Sequence, residues 1–456
     1  MASSEVKDIE CGPEQRHEKP PFEDDNLKED PPSVEVDPFG AEETAEVKYK
    51  TLAWWQCGIL MIAETVSVGV LSLPATLATI GLIPALILIV GLGLVSTYSG
   101  YVIGQFRQRY PFVHSMADAG FILMGPIGRA VIEVAQLLFF LFACGSHILT
   151  FTVMMNTLTD HGTCSIVFGV VGLILCLIFS LPRTMKNVSW LGFISFLSVF
   201  IAVVTTMVAV GVERPDYGDM MLTRKTSFTN GFSAVTNIVF AYCGHPGFFG
   251  FIAEMKEPKD FPKSLCMLQA FEIVLYTVAS AVIYRYAGQN VASPALGSAG
   301  PVMRKVAYGL AIPTIVIAGV VLGHVAIKNV YVRMLRGTDM MHRRDWRSTG
   351  IWIGLGTVFW IVAWIIASAI PVFSNLLGLV SALFVSWFSF GLPGIFWLYM
   401  YWGEYFKSPM KIILTLANLG LVVHGIMICA LGLWVSGVAI HNDDASGSFS
   451  CANNAI

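Results

Sequence analysis

Two long apolar segments of the chain are interrupted near their centres by residues that break helices. The first, Cys57–Pro74, contains Ser67-Val68-Gly69-Val70, and the second, Gly231–Met255, contains Cys243-Gly244-His245-Pro246. Glycine and proline inside an apolar span leave backbone N–H and C=O groups that hydrocarbon cannot satisfy. A half-helix that begins at such a break also presents a positive dipole end. This chemistry suits the binding of an anionic or zwitterionic small molecule in a buried cavity.

The first break has a second interpretation when it is considered alone. A small residue such as Gly69 also allows neighbouring membrane helices to pack closely. Two interrupted spans at corresponding positions of two halves are, however, the sequence pattern that marks the binding site of a secondary transporter. Together the two breaks therefore predict a membrane carrier.

The composition indicates a membrane location independently. Of the 456 residues, 55% are hydrophobic and 13% are charged, whereas soluble domains have about 25% charged residues. The net charge of -3 gives no indication of a nucleic-acid partner. The nine cysteines show no spacing typical of metal ligands, and no Ser/His/Asp grouping emerges, so we expect neither an enzyme, a metal site nor a cofactor. Cys164 and Cys451 are expected to face the exterior, and the sequence leaves open whether they form a disulfide.

Eleven apolar segments have a length near the ~20 residues with which a helix crosses a bilayer. The predicted class is therefore an all-α polytopic membrane protein with about eleven transmembrane helices. The segments are 52–78, 82–106, 129–158, 165–181, 188–212, 230–254, 264–287, 305–334, 350–370, 374–401 and 411–437.

Basic residues are distributed unevenly between the two sides of the predicted bundle. Seventeen lysines and arginines flank the spans on the side of the N-terminus, and six lie on the other side. By the positive-inside rule the N-terminus is cytoplasmic, and with eleven spans the C-terminus is not. The acidic segment 1–50 is predicted to be a disordered cytoplasmic tail because it cannot bury enough apolar surface. Residues 51–437 form the predicted transmembrane domain, and 438–456 form a short non-cytoplasmic tail.

The spans divide into two sets of five, and each set begins with a broken helix. Because five is an odd number, the second set enters the membrane from the opposite face. This predicts a LeuT-like 5+5 inverted repeat of residues 52–212 and 230–401, followed by an extra helix at 411–437. In that arrangement the substrate lies near the middle of the membrane, between the unwound parts of helices 1 and 6.

An α-amino acid matches the chemistry of both breaks. Its carboxylate would bind backbone N–H groups at the first break, and its ammonium would bind carbonyls in the sixth span, with hydroxyls assisting. Apolar side chains flank the breaks, which favours neutral substrates, although Glu64 and His245 are both near in sequence. The predicted substrate-binding residues are Thr65, Ser67, Val68, Gly69, Val70, Phe240, Ala241, Tyr242, Cys243 and Gly244.

Ionisable residues at membrane depth are candidates for binding a coupling ion. The predicted proton-coupling candidates are Glu64, His245, His324 and Lys328. Lys328, one turn from His324, could replace a bound cation, which favours coupling to protons over sodium. Two alternatives stay open: His245 could be a structural histidine bonded to a freed carbonyl, and Lys328 could extend to the membrane interface.

Three further carboxyl groups lie at or near membrane depth. Glu254 marks the predicted cytoplasmic end of the sixth span, where it closes an inner gate or is a solvated charge at a helix end. Glu133 and Glu272 either face the interior of the bundle or are satisfied locally.

A family resemblance rests on the strings SVGVLSLP and FAYCGHPGFFGFIAEMKEPKDF and on the aromatic-rich tenth span. They resemble the amino acid/auxin permease family, and AETVSVGVLSLP, LGHVAIKNVYVR and the acidic tail are most similar to its fungal neutral amino acid permeases. The resemblance covers about residues 50–437. It implies eleven helices, a LeuT-like core and proton-coupled uptake of amino acids, with the plasma membrane as the predicted location. A vacuolar exporter of the same family and an amino acid sensor with little flux are the alternatives.

Overall fold

The computed structural model describes residues 50, 52–182, 188–215, 219–335, 346–442 and 448–454. The predicted N-terminal tail, apart from residue 50, lies outside this part of the chain.

The described chain is built from helices whose apolar residues bury one another, and all of them follow the predicted apolar segments. A 3-10 segment, Gly69–Ser72, joins the first two helices, and a π-helical segment, Ser381–Gly391, joins α12 to α13. In chain order the helices are α1 Trp54–Thr65, α2 Leu73–Ile80, α3 Leu82–Arg109, α4 Met116–Thr159, α5 Ser165–Phe179, α6 Val188–Glu213, α7 Phe228–Ala241, α8 His245–Glu254, α9 Phe261–Ala287, α10 Pro301–Leu335, α11 Trp346–Ala369, α12 Phe373–Val380, α13 Leu392–Met400 and α14 Pro409–His441.

The broken spans of the sequence are pairs of helices in the structure. The first span consists of α1 and α2, and the sixth consists of α7 and α8. Within the described residues, eight continuous helical segments are long and apolar enough to cross a membrane alone, and one of them, Phe373–Met400, comprises α12, the π-helical segment and α13. α1 with α2 makes a ninth span, bent by 42°. α5 has 15 residues, and α7 and α8 have 14 and 10. Each is short for a single span, so the number eleven stays a prediction.

Local sequence determines where several helices begin and bend. Serine hydroxyls at Ser115, Ser227 and Ser408 accept a hydrogen bond from a backbone N–H in the first turn of α4, α7 and α14, which satisfies a donor that the helix leaves unpaired. α4 is kinked at Gly125, which has a φ of 62°, a conformation that glycine adopts easily because it has no Cβ. Pro126 follows directly and has no N–H to continue the ladder.

The contacts between helices divide the spans into two groups. α1, α2, α3, α7, α8 and α9 pack on one another, and α4, α5, α10 and α11 form a second group. α6 contacts both groups, through α1 and α9 on one side and α10 on the other, and the tenth span packs on α14 and α7. Both broken helices therefore belong to the same group, which comprises spans one, two, six and seven.

The described C-terminal residues 448–454, here named the C-terminal strap, cross the ends of α4, α5 and α11. A disulfide joins Cys451 to Cys164, 287 residues earlier in the chain, so the pairing that the sequence left open is present. The hydrogen bonds of the strap run from Phe449 N–H to Ser368 O (3.0 Å), from Ser448 Oγ to Ala369 O (2.8 Å), from Ser165 Oγ to Ala452 O (2.5 Å) and from Asn156 Nδ2 to Asn454 Oδ1 (2.7 Å).

Loss of this disulfide should destabilise the protein. We expect Cys451→Ser to reduce stability by about 2–4 kcal/mol, because a crosslink between distant residues lowers the entropy of the unfolded chain. Thermal unfolding in detergent measures the effect. A reductant should lower the midpoint of the wild type to that of the variant and leave the variant unchanged. Equal midpoints for the two proteins under oxidising conditions would contradict the prediction.

Candidate functional site

The break in the first span separates α1 from α2. Helical hydrogen bonding stops where Val66 N–H donates to Ile62 O (3.0 Å), and a tighter turn begins where Leu71 N–H donates to Val68 O (3.2 Å). Pro74 lies in the first turn of α2, where its missing N–H costs nothing. The N-terminal, positive end of the second half-helix therefore lies at the break.

The break in the sixth span contains the three carbonyls predicted to bind an ammonium group. Each already accepts a hydrogen bond within the protein. A carbonyl oxygen has two lone pairs, so Ala241 O and Tyr242 O each keep one for a ligand, whereas Phe240 O also accepts from Tyr242 N–H. The internal bonds run from Cys243 N–H to Phe240 O (3.0 Å), from Tyr276 OH to Ala241 O (2.9 Å) and from Gly244 N–H to Tyr242 O (3.1 Å).

The two breaks are in direct contact with each other. A Cβ added to Gly69 would lie 2.8 Å from Ala241 Cα, and one added to Gly244 would lie 2.4 Å from Thr65 Cγ2. Neither position has room for a side chain. The predicted binding residues of the first span and those of the sixth therefore form one cluster, in which every residue except Cys243 is buried.

The two predicted hydroxyl ligands use their protons inside α1. Thr65 Oγ1 donates to Met61 O (2.9 Å), and Ser67 Oγ donates to Glu64 O (3.3 Å). A hydroxyl has one proton, so towards a ligand both groups can only accept. They suit the ammonium of an amino acid better than its carboxylate.

The carboxyl group of Glu64 lies over the first turn of α8. Both of its oxygens would be 3.2 Å from a Cβ added to Gly247, and Oε2 is buried without a hydrogen-bond partner among the described residues. The positive end of α8 therefore faces a carboxyl group of the protein itself. The helix N-terminus left for a substrate carboxylate is the one that begins at Gly69.

The ring of His245 packs against α3. Nε2 lies 3.1 Å from Ser96 O and 2.9 Å from Ser99 Oγ. A carbonyl oxygen only accepts, so Nε2 carries a proton and donates it. The ring thus ties α8 to α3, which is the structural role weighed for this residue in the sequence.

The remaining two coupling candidates lie on α10. His324 Nε2 is 2.9 Å from Pro182 O, and its ring is 5.1 Å from that of Trp352. His324 therefore has partners beside α5 and on α11, in the second group of helices. Lys328 lies close enough to Glu254, at the end of α8, for the two charges to attract each other, and this attraction runs between the two groups of helices.

Two polar residues of α4 have partners that the sequence pattern does not predict. Glu133 forms an ion pair with Arg333 of α10, so it is satisfied locally. Gln136 Nε2 donates to Pro246 O (3.0 Å), and this buried bond joins the second group to the broken sixth span. A lone glutamine in an apolar segment has no spacing that could indicate its partner.

The ends of α1 and α8 remote from the breaks are paired through the backbone. Leu52 N–H donates to Glu254 O (3.0 Å), and Lys256 N–H donates to Leu52 O (2.9 Å). Ser264 Oγ of α9 donates to Trp54 O (2.7 Å). The start of the first span is therefore fixed to the end of the sixth and to the seventh.

Comparison with known proteins identifies the family. The family model described as "Transmembrane amino acid transporter protein" matches residues 50–437. The chain belongs to this family. It is an amino acid transporter and not an enzyme, and the predicted membership of the amino acid permeases is confirmed.

Relatives of this transporter are known from fungi and plants. It is 36% identical over 399 residues to the N amino acid transport system protein of Neurospora crassa, with 85% of both chains covered. It is 32% identical to a transmembrane transporter of Fusarium pseudograminearum, covering 81% of both chains. The amino acid transporter AVT1H of Arabidopsis thaliana is 24% identical, over 83% of this chain and 88% of its own.

Solved structures of LeuT-fold transporters share the architecture. A substrate-bound, outward-open Na+-coupled sialic acid symporter aligns with a TM-score of 0.51 at 12% identity, covering 84% of this chain and 90% of its own. MhsT in complex with L-phenylalanine aligns with a TM-score of 0.52 at 11% identity, covering 86% and 99%. The predicted LeuT-like fold is confirmed.

Proposed function

We propose that this amino acid transporter imports neutral amino acids by proton symport, with alternating access to a site at the two helix breaks. The observation that carries the proposal is the backbone contact between Gly69 and Ala241. It brings the positive end of a half-helix in the first span next to partly used carbonyls of the sixth. Such a site offers donors for a carboxylate and acceptors for an ammonium.

The lining of the breaks supports a neutral side chain. Val66, Val70, Phe240 and Phe248 are all buried around them. An apolar lining accepts an uncharged side chain and rejects a charged one, because burying an unpaired charge is costly.

Carboxyl groups within the bundle support coupling to protons. Ionisable residues inside membrane spans mark ion pathways and proton relays, and Glu64 lies beside both breaks. Lys328 places a cation on the eighth span, and its attraction to Glu254 crosses from one helix group to the other. We keep His245 and His324 as coupling candidates, although their partners favour structural roles.

Alternating access requires the group with both breaks to move against the second group. α3 and α9, the second and seventh spans, belong to the group that moves. The hydrogen bond from Gln136 to Pro246 O joins the two groups, so it would break in the transition.

The disulfide supports the proposed orientation. Disulfides persist in oxidising compartments and are rare in the cytosol, so the end of the bundle that carries Cys164 and Cys451 faces away from the cytosol. The N-terminus is then cytoplasmic if the number of spans is odd. We propose the plasma membrane as the location, and imaging of a fluorescent fusion separates it from the vacuolar membrane.

Uptake of labelled neutral amino acids into proteoliposomes tests the function. We expect accumulation against a concentration gradient when the lumen is alkaline, collapse of that accumulation by a protonophore, and no effect of replacing sodium with choline. Dependence on sodium and indifference to the pH gradient would overturn proton symport. Competition by lysine or glutamate stronger than by neutral amino acids would overturn the specificity.

A further inference from the structure

Glu272 of α9 is a carboxyl group enclosed by the protein beside the helix breaks. Its exposed fraction is 0%, and neither carboxyl oxygen has a hydrogen-bond partner among the described residues. Burying a carboxylate without a donor or a cation is costly. A buried ionisable group of this kind in a membrane span indicates a functional site.

The hydroxyls of Thr65 and Tyr276 are the polar neighbours of this carboxyl group. Thr65 Oγ1 donates to Met61 O and Tyr276 OH donates to Ala241 O, both at 2.9 Å. Each hydroxyl has given its single proton away and presents only lone pairs to Glu272. While they hold these bonds, the two hydroxyls can accept a hydrogen bond from a protonated carboxyl group, and only when turned away from their carbonyls can they donate one to a carboxylate.

Both hydroxyls are linked to the helix breaks, since Thr65 belongs to the first break and Tyr276 OH donates to Ala241 O at the second. Thr65 ends α1 and contacts Gly244, while Ala241 ends α7 and contacts Gly69. If either hydroxyl is released from its carbonyl when the breaks move, it can turn its proton towards Glu272 and stabilise the carboxylate. The conformation of the breaks therefore determines which protonation form of Glu272 is hydrogen-bonded.

The charged and titratable groups around Glu272 come from the helices packed on α9. A charge on Glu272 acts on the Cys243 thiol and on the Tyr242 phenol of the sixth span. A charge on Glu64, in the first span, acts on the same Cys243 thiol. Among the described residues, α2 has no charged side chain and α3 has none before Arg107. The charged residue of α6 is its last, Glu213. A carboxylate at this position would have no cation from these helices.

Three residues with hydroxyl groups follow Glu272 at intervals of four along α9. Residues four apart share one face of a helix, so Glu272, Tyr276, Ser280 and Tyr284 form one row, and all are buried. The row is about 18 Å long at 1.5 Å per residue. Ser280 Oγ has no partner among the described residues. At the far end Tyr284 OH accepts from Met221 N–H (3.0 Å) in the loop before α7.

We propose that Glu272 binds the coupling proton and that the hydroxyl row Tyr276, Ser280 and Tyr284 is its route from the outer side. The inference rests on the proposed proton symport. A proton from outside water converts the carboxylate into the carboxyl group. After the breaks rearrange, the same proton leaves to water on the cytosolic side, and no other bond is made or broken.

Glu272→Gln tests the proton site. Its amide keeps the size of the side chain and can donate a hydrogen bond to both hydroxyls, but it cannot take up or release the coupling proton. Exchange of internal for external amino acid requires no net proton movement. We expect the variant in proteoliposomes to retain exchange, to equilibrate a labelled neutral amino acid without accumulating it, and to lose substrate-induced proton uptake recorded with a pH dye.

Matched variants separate the site and the route from general damage. Glu404→Gln removes a carboxyl group in an exposed loop, where it pairs with Lys407 at 3.1 Å, and should accumulate substrate as the wild type does. Ser280→Ala should slow gradient-driven accumulation and leave exchange unchanged. Thr277→Ala removes a hydroxyl of the same helix that lies off the row, and it should affect neither.

The outcomes distinguish this inference from the proposed function. Accumulation by Glu272→Gln at the wild-type level overturns the assignment of the proton site and leaves proton symport intact, whereas a wild type indifferent to the pH gradient overturns proton symport itself. If the variant has no exchange, amino acid binding to the purified protein decides: binding insensitive to pH supports the site, and wild-type pH dependence overturns it. Equal accumulation by Ser280→Ala and Thr277→Ala overturns the route.

Discussion

Replacement of Gly69 by alanine is expected to lower the rate of transport by roughly tenfold or more. The added Cβ would lie 2.8 Å from Ala241 Cα and 3.3 Å from Ala241 Cβ. The first of these atoms belongs to the backbone of the sixth span and cannot turn aside as the end of a flexible side chain can. The two breaks would be forced apart at the point where substrate carboxylate and ammonium must be bound together. Overpacking of this kind costs about 1–3 kcal/mol.

The rate of amino acid uptake into proteoliposomes measures this effect. We expect a fall of roughly tenfold or more, since tenfold corresponds to about 1.4 kcal/mol. Gly91→Ala in α3 and Gly250→Ala in α8 are matched controls, because nothing lies within 4 Å of a Cβ at either position, and both should transport as the wild type does. Normal uptake by Gly69→Ala at equal protein levels would show that the breaks do not need to touch.

The breaks were predictable because their cause is local. Glycine and proline weaken a helix through their own backbone, glycine by its flexibility and proline by its missing N–H, so Gly69, Gly244 and Pro246 indicate the position of the site without any knowledge of the fold. The equal spacing of the two broken spans also predicts the repeat, and with it the proximity of the breaks.

The direction of the polar side chains was not predictable, because it depends on contacts between distant segments. His245 is a membrane-depth histidine in the sequence, but its partner Ser96 is 149 residues away and turns it into a link between helices. Glu272 is one of several buried acids in the sequence. What distinguishes Glu272 is its two hydroxyl neighbours, Thr65 and Tyr276. They donate their protons to carbonyl oxygens of α1 and α7 and not to Glu272.

Substitution of Lys328 by methionine is expected to impair transport through the inner end of the bundle. Lys328 of α10 attracts Glu254 of α8, and both side chains are half-buried. Removing one partner of a fully buried pair costs about 3–5 kcal/mol, and an exposed pair contributes about 0–1 kcal/mol. The attraction between these two half-buried charges lies between these limits, and tenfold corresponds to about 1.4 kcal/mol, so we expect uptake to fall by up to roughly tenfold. Lys407→Met, which breaks the exposed pair with Glu404, should have little effect.

The double variant Lys328→Met with Glu254→Gln determines what the pair does. Leu52 is bonded to Glu254 O through the backbone, so an attraction between Glu254 and Lys328 holds the start of the first span and the end of the sixth against the second helix group. If that closure is the role of Lys328, removing both charges leaves no unpaired group, and uptake should recover towards that of Glu254→Gln alone. If Lys328 instead replaces a bound cation on the eighth span, the loss should persist in the double variant, because Glu254 plays no part in it. Uptake rates of the wild type, the two single variants and the double variant give the coupling energy between Lys328 and Glu254 directly. A coupling energy near zero would exclude the role of this pair in closing the inner end of the bundle.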